Sequence, residues 1–365
     1  MNLLKKCLLA GLYLQLTVVA HAAPPPVSKA VKAEPAAAAA PLSEAERYAK
    51  RCRPRAPLRE HNPQGTMLWG IRRGWDTEKV AEERSSVLVS VALDPVRPVD
   101  GEVKALQLQG GQLVAAPAGK KVAGAVVQGI ASDGKPVEVA ICSAEPSAED
   151  PEMVWYGIEA WNPVAQDWEN PCVAVSRTPN PRVLAVRGVW DATGARQEVP
   201  GRFTFACESG AIAKCIHWGY KPWASRGGKS LSDLHQACTR MARADYCGDG
   251  RSHTHEDTII DMYDQYGLIT PSTEVSAEWD PARGSFEAAW GPDGATCLSH
   301  TRDGRAVETV LQECPSRFRT GAAVELGQGD RCLIQRVDAN PKTTLLRNRS
   351  YGVRPGAAAP AAIKR

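Results

Sequence analysis

FTFACESGAIAKCIHWGYKPWASRGGKSLSDLHQACTRMARADYCGDGRSHTHEDTIIDMYD, residues 203–264, holds four cysteines, four of the seven histidines and a strong helical pattern. Leu231, Leu234, His235, Cys238, Met241, Ala242 and Asp245 recur at the three-and-four spacing that builds one face of a helix. Ser230 is the expected N-cap, with Asp233 in the place of a capping-box glutamate, and Gly248 is the expected stop. His235 and Asp245 are the polar members of an otherwise buried-looking stripe. A buried polar group is unfavourable unless hydrogen-bonded, so each is expected to have a specific partner. Cys238 and Cys247, nine residues apart, would sit about 13 Å apart along a continuous helix and on opposite sides. A disulfide brings two Cα atoms within about 7 Å, so these two are expected to have different partners unless the helix breaks before Ala244.

The remaining cysteines extend the same argument. Lys5 and Lys6 precede an apolar run, residues 8–20, and Ala20 and Ala22 supply the small residues of a cleavage site. This is the pattern of a secretory signal peptide over residues 1–22, too short and wrongly flanked for a transmembrane span. Cys7 leaves with it. Ten cysteines remain, Cys52, Cys142, Cys172, Cys207, Cys215, Cys238, Cys247, Cys297, Cys314 and Cys332. An even number in an exported chain reads as a disulfide framework, with the pairing left open. The expected location is secreted, periplasmic or cell-surface.

Residues 23–51 are dominated by Ala, Pro, Lys and Glu and read as a linker; residues 346–365 read as a flexible tail. Between them lie a β-rich region, 52–206, and a disulfide-rich region, 207–345. Short β-branched or alternating runs at 87–93, 103–108, 122–127, 137–142, 153–158, 183–189 and 202–206 are separated by Gly, Pro and Asp-Gly turns. They predict an antiparallel barrel or sandwich. The helix, with residues 259–266 expected to add to it, makes the class α+β. Beyond Gly267 the chain reads as a small β or irregular part, with short strands or loops around 307–311 and 333–337.

Chemistry is weakly marked. His253, His255 and Asp257 alternate as H-x-H-x-D and would share one side of an extended strand, a candidate metal set for zinc, iron or manganese; a solvated polar loop is the preferred reading. Ser209 lacks the leading glycine of a nucleophile elbow, and the GGKS ending at Ser230 lacks the first glycine of a phosphate loop. No cofactor is expected. Ten tryptophans, among them Trp155, Trp161, Trp168, Trp218 and Trp223, could either fill β cores or, if exposed, offer a platform for a carbohydrate or peptide ligand. A formal charge of +3 with no basic stripe speaks against nucleic acid.

At Ala244, Asp245, Tyr246 and Cys247 the sequence resembles the ADYC-domain family, predicted exported proteins of bacteria, mostly myxobacteria. FTFAC ending at Cys207, AKC ending at Cys215, Trp218-Gly219-Tyr220 with Pro222-Trp223, HQACTRMARADYCGDG from His235, and EAAWG with Cys297 carry the resemblance. It implies an exported domain from about residue 68 to 314. It implies no reaction, cofactor or ligand. The expected function is therefore that of a disulfide-stabilised envelope or secreted protein, with a ligand-binding module as its specific form. The alternative is a hydrolase of envelope or extracellular polymer, for which His235, Asp245, Tyr246 or the His253–His255–Asp257 segment are the candidate groups.

Overall fold

The β-branched runs between residues 87 and 207 close on themselves. The computed structural model describes residues 42–53, 66–71, 87–97, 103–175, 177–255 and 258–352. After a short helix α1 (Glu44–Ala49) come β1 (Leu88–Arg97), the hairpin β2 (Ala105–Gln109) and β3 (Gln112–Ala116), β4 (Val126–Ala131), β5 (Pro136–Pro146) and β6 (Val154–Asn162). Then follow β7 (Asp167–Glu169), β8 (Val183–Arg187), a ribbon of β9 (Val189–Trp190) and β10 (Arg196–Gln197), and β11 (Arg202–Cys207). Six strands pair antiparallel in the order β5-β4-β1-β11-β8-β6, and β6 pairs back onto β5, which completes a barrel; β7 adds to β6 at the rim. Closure leaves no free edge along the ring. Val91, Val127, Val139, Ile141, Tyr156, Ile158, Phe203 and Phe205, each at most 3% exposed, belong to its core. Phe203 and Phe205 meet edge to face at 4.8 Å.

The chain then leaves the barrel through α2 (Ala211–His217), the ribbon β12 (Ser225–Arg226) and β13 (Lys229–Ser230), and α3 (Ser232–Arg243). The rest is β14 (Ile260–Asp264), β15 (Ser285–Gly291), β16 (Gly294–Leu298), α4 (Val307–Glu313), β17 (Phe318–Gly327), β18 (Asp330–Arg336) and β19 (Leu346–Ser350). These six strands form a second antiparallel sheet in the order β14-β19-β15-β16-β18-β17. Leu234, Ala237 and Met241 of α3 share a core with Ala288, Trp290, Ala295, Leu298, Ile334 and Leu346 of that sheet. The fold is thus α+β, a barrel followed by a disulfide-linked helical segment and a C-terminal sheet. The described residues from Leu42 onward cluster as one compact unit.

Several boundaries differ from the sequence reading. Residues 260–264 are a strand, because their two-residue alternation buries Asp261 and Tyr263 while the backbone pairs with β19. Residues 307–313 are helical, with Val310 turned inward. The tail expected from 346 begins with β19, and the linker expected to reach 51 ends in α1. The signal segment 1–22 and linker residues 23–41 lie outside the described residues. No helix among the described residues is long and apolar enough to cross a membrane.

Candidate functional site

Helix α3 is buried on every side. All residues from Leu234 to Arg243 are buried, so its polar side chains must find partners inside the protein. It starts one residue later than Ser230 predicts: Leu231 holds the N-cap position, and Ser230 Oγ accepts the Ser232 N–H at 3.1 Å. Its stop is Ala244, in the left-handed region at φ 51°, rather than Gly248. The Asp245 N–H donates to Arg240 O and the Ala244 N–H to Met241 O, the paired bonds of a Schellman ending. Cys238 therefore bonds to Cys215 of α2, while Cys247, past the turn, bonds to Cys314.

His235 is fully buried, with Nε2 3.1 Å from Ile212 O and the ring edge-to-face with Trp190 at 5.9 Å. A carbonyl partner makes Nε2 the protonated nitrogen. Burial, opposed by the Ile212 bond and assisted by nearby Arg196, lowers its pKa to about 4, so the ring is neutral. One residue on, Gln236 accepts from Trp190 Nε1 at 2.9 Å and donates to Gly194 O at 2.7 Å. Arg240 donates to Pro292 O, Thr193 O and Asp245. These side chains tie the barrel ribbon β9–β10 to the β15–β16 turn.

The Ala244–Cys247 segment is the second half of this joint. Asp245 pairs with Arg240 at 2.6 Å and accepts the Asp249 and Gly250 N–H groups, each at 3.1 Å, which folds the chain back after the helix. Tyr246 donates to Glu287 Oε1 at 3.1 Å and accepts the Arg302 N–H at 2.7 Å. Arg302 holds Glu287 in a two-pronged ion pair at 2.9 and 3.0 Å, and its Nη2 also reaches Met241 O at 2.9 Å. A cation at a helix C-terminus satisfies carbonyls that lack partners in the helix. Asn348 completes the set, donating to Glu287 and accepting from Trp290 Nε1. Burial works to raise the Glu287 pKa, but Arg302 outweighs it and the carboxyl lies below its ordinary value. Burial and the Glu287 charge push the Tyr246 hydroxyl well above its usual range. Glu287 opens the EAAWG stretch that carries the resemblance and stands as a charge in an apolar strand, whereas Arg302 and Asn348 carry no local motif.

Of the candidate metal set, His253 and His255 belong to no group of metal-like spacing among the described residues. His253 is stacked on Tyr246 at 6.0 Å, with Nε2 3.9 Å from Glu313, whereas His255 is exposed. Burial and then Arg305 lower the His253 pKa. Asp257 lies outside the described residues. Among the described residues, the group with metal-like spacing is Cys52, Cys142 and Glu159, and those two cysteines are bonded to each other. All ten expected cysteines pair: Cys52–Cys142, Cys172–Cys207, Cys215–Cys238, Cys247–Cys314 and Cys297–Cys332. None of the nine described tryptophans is exposed; Trp155, Trp161 and Trp168 are buried, and Trp218 and Trp223 half-buried. A ready-made tryptophan platform is thus absent among the described residues: Trp161 and Trp168 lie under Arg47 and Tyr48 of α1, and Trp218 and Trp223 pack against the hydrophobic cores.

The family model of the ADYC domain matches residues 119–304, just over half of the chain. Comparison with curated proteins and with solved structures gave no match.

Proposed function

The chain belongs to the ADYC domain family, and from that premise we propose that it is a non-catalytic, disulfide-locked binding module of an oxidising compartment. One observation carries the reading. His235, Asp245 and Tyr246 are each at most 1% exposed and bonded to internal partners. A catalytic group must touch its substrate; these instead hold two β lobes together. Five disulfides favour an extracellular or periplasmic setting, as does the signal-like start of the sequence.

The test is mass analysis of the chain purified from an exported fraction. An N-terminus at Ala23 and no added mass on alkylation without reductant are expected. An intact Met1, or buried cysteines that take label, would overturn the reading. The hydrolase alternative rests on His253, which keeps an ionisable partner in Glu313 and is 14% exposed at its side chain. It requires polymer cleavage that disappears in His253→Ala while the melting temperature holds.

A further inference from the structure

We propose that the Cys52–Cys142 bond is a reducible latch holding residues 42–53 as a strap over an aromatic face of the barrel, and that this face is a peptide-binding site uncovered when the latch opens. The proposal rests on the binding-module reading above and names its site.

The five disulfides are not equally reachable. The eight cysteines of the other four bonds are at most 9% exposed, whereas Cys52 and Cys142 are both partly exposed. Thiol–disulfide exchange needs an attacking thiolate to reach one sulfur, so accessibility separates this bond from the rest. With a dithiol reductant the exchange balances. One reagent thiolate attacks a sulfur and forms a mixed disulfide, and the reagent's second thiol closes its own ring. Two electrons and two protons then rest on Cys52 and Cys142 as thiols.

The strap is well placed to leave. Helix α1 has six residues and none of them is buried. Helices this short are marginal by themselves in water. What holds it is a set of side-chain contacts on one face. Arg47 pairs with Glu138 at 2.7 Å and lies 5.2 Å over the Trp161 ring. Tyr48 donates to Glu138 at 2.8 Å and packs against Trp168 at 6.1 Å. Trp168 Nε1 donates to Arg47 O at 2.8 Å, and Glu159 accepts the Cys52 N–H at 2.6 Å. Beneath lie Trp161 and Trp168, edge to face at 5.6 Å, with Val126 and Ala140. Two tryptophans flanked by two carboxylates form a site for a peptide that presents a guanidinium and a phenol, and the strap is such a peptide. The face lies within the matched family segment, and the strap lies outside it.

The Glu159 carboxylate lies within 4.8 Å of both sulfurs and opposes a thiolate there, so the latch is reachable but guarded.

The experiment titrates the full oxidised chain with dithiothreitol, alkylates, and maps the label by peptide mass. Label confined to Cys52 and Cys142 is expected at concentrations that leave the other four bonds intact. New tryptic cleavage after Arg47, Lys50 or Arg51 should appear in the same samples. The Cys52→Ser/Cys142→Ser variant should show that cleavage without reductant, and after strap removal should bind a synthetic 42–53 peptide carrying Ser at 52. Oxidised wild type should bind at least tenfold more weakly. Label spread evenly over buried pairs would overturn the selectivity. A protected strap in the double variant would overturn the release, and no peptide binding after removal would overturn the site. Buried thiols reactive before any reductant would overturn both this proposal and the disulfide-locked reading.

Discussion

At the residue scale, the signature's ionisable groups are explained by what they neutralise. Glu287 and Arg302 are 0% and 2% exposed at their side chains, a depth at which a lone charge is not tolerated. Arg302→Met should therefore destabilise by about 3–5 kcal/mol, because it strands the Glu287 carboxylate. Adding Glu287→Gln should recover part of that loss; equal melting temperatures for the single and double variants would contradict it. Tyr246→Phe should lose about 1–3 kcal/mol in denaturant unfolding, since it removes a bond to the buried carboxylate and leaves the Arg302 N–H unpaired. His235 gives a pH signature. Its folded pKa, about 4, lies below the 6.5 of a free ring, so the unfolded state takes up a proton first as pH falls. Its contribution is complete above 6.5, declines between 6.5 and 4, and is lost below. The difference is roughly 3 kcal/mol. Unfolding of wild type and His235→Gln at several pH values checks this, and the variant should show the flatter profile. At this scale the sequence marked His235 and Asp245 as polar members of an apolar stripe, but not their partners, the Ile212 carbonyl and Arg240. Arg302 and Asn348, which answer Glu287, lie further along the chain, and nothing local announces which buried charge they meet.

At the element scale, the turn after α3 is defined by backbone approach. Gly248 has φ +67°, and a Cβ there would sit 1.9 Å from Asp293 O; at Gly250, φ is +90° and a Cβ would meet Ala192 O at 2.3 Å. Gly248 thus serves contact with the β15–β16 turn, not the helix stop that its position suggested. Gly248→Ala should destabilise by about 3 kcal/mol or more, combining left-handed strain with a clash against main chain. A thermal melt within 2 °C of wild type would refute it. The helix itself was legible because its period is carried by seven residues. Residues 260–264 were not, since IDMYD is too short to separate two periods and its partner β19 lies over eighty residues on. Residues 307–313 misled in the other direction: two valines and a threonine favour a strand locally, while packing of Val310 beside Cys314 selects the helix.

At the scale of the whole molecule, the matched segment and the folding unit do not coincide. The cysteine count was readable as a closed set of bonds, but the pairing depended on a topology that no spacing rule contains. Cys142, Cys247 and Cys297 lie inside residues 119–304, and their partners Cys52, Cys314 and Cys332 lie outside. Strand β1, also outside, sits between β4 and β11 in the barrel, and β19 sits between β14 and β15 in the second sheet. A fragment of residues 119–304 would therefore have an opened barrel, a split sheet, three unpaired cysteines and a Glu287 deprived of Asn348. Unpaired strand edges and free thiols favour aggregation over folding. Expressed under oxidising conditions, that fragment should show no cooperative thermal transition, whereas residues 42–352 should melt in one. Calorimetry on the two fragments decides it: a sharp transition in the shorter one would mean that the barrel closes without β1, and that the bonds to Cys52, Cys314 and Cys332 only reinforce a fold already complete.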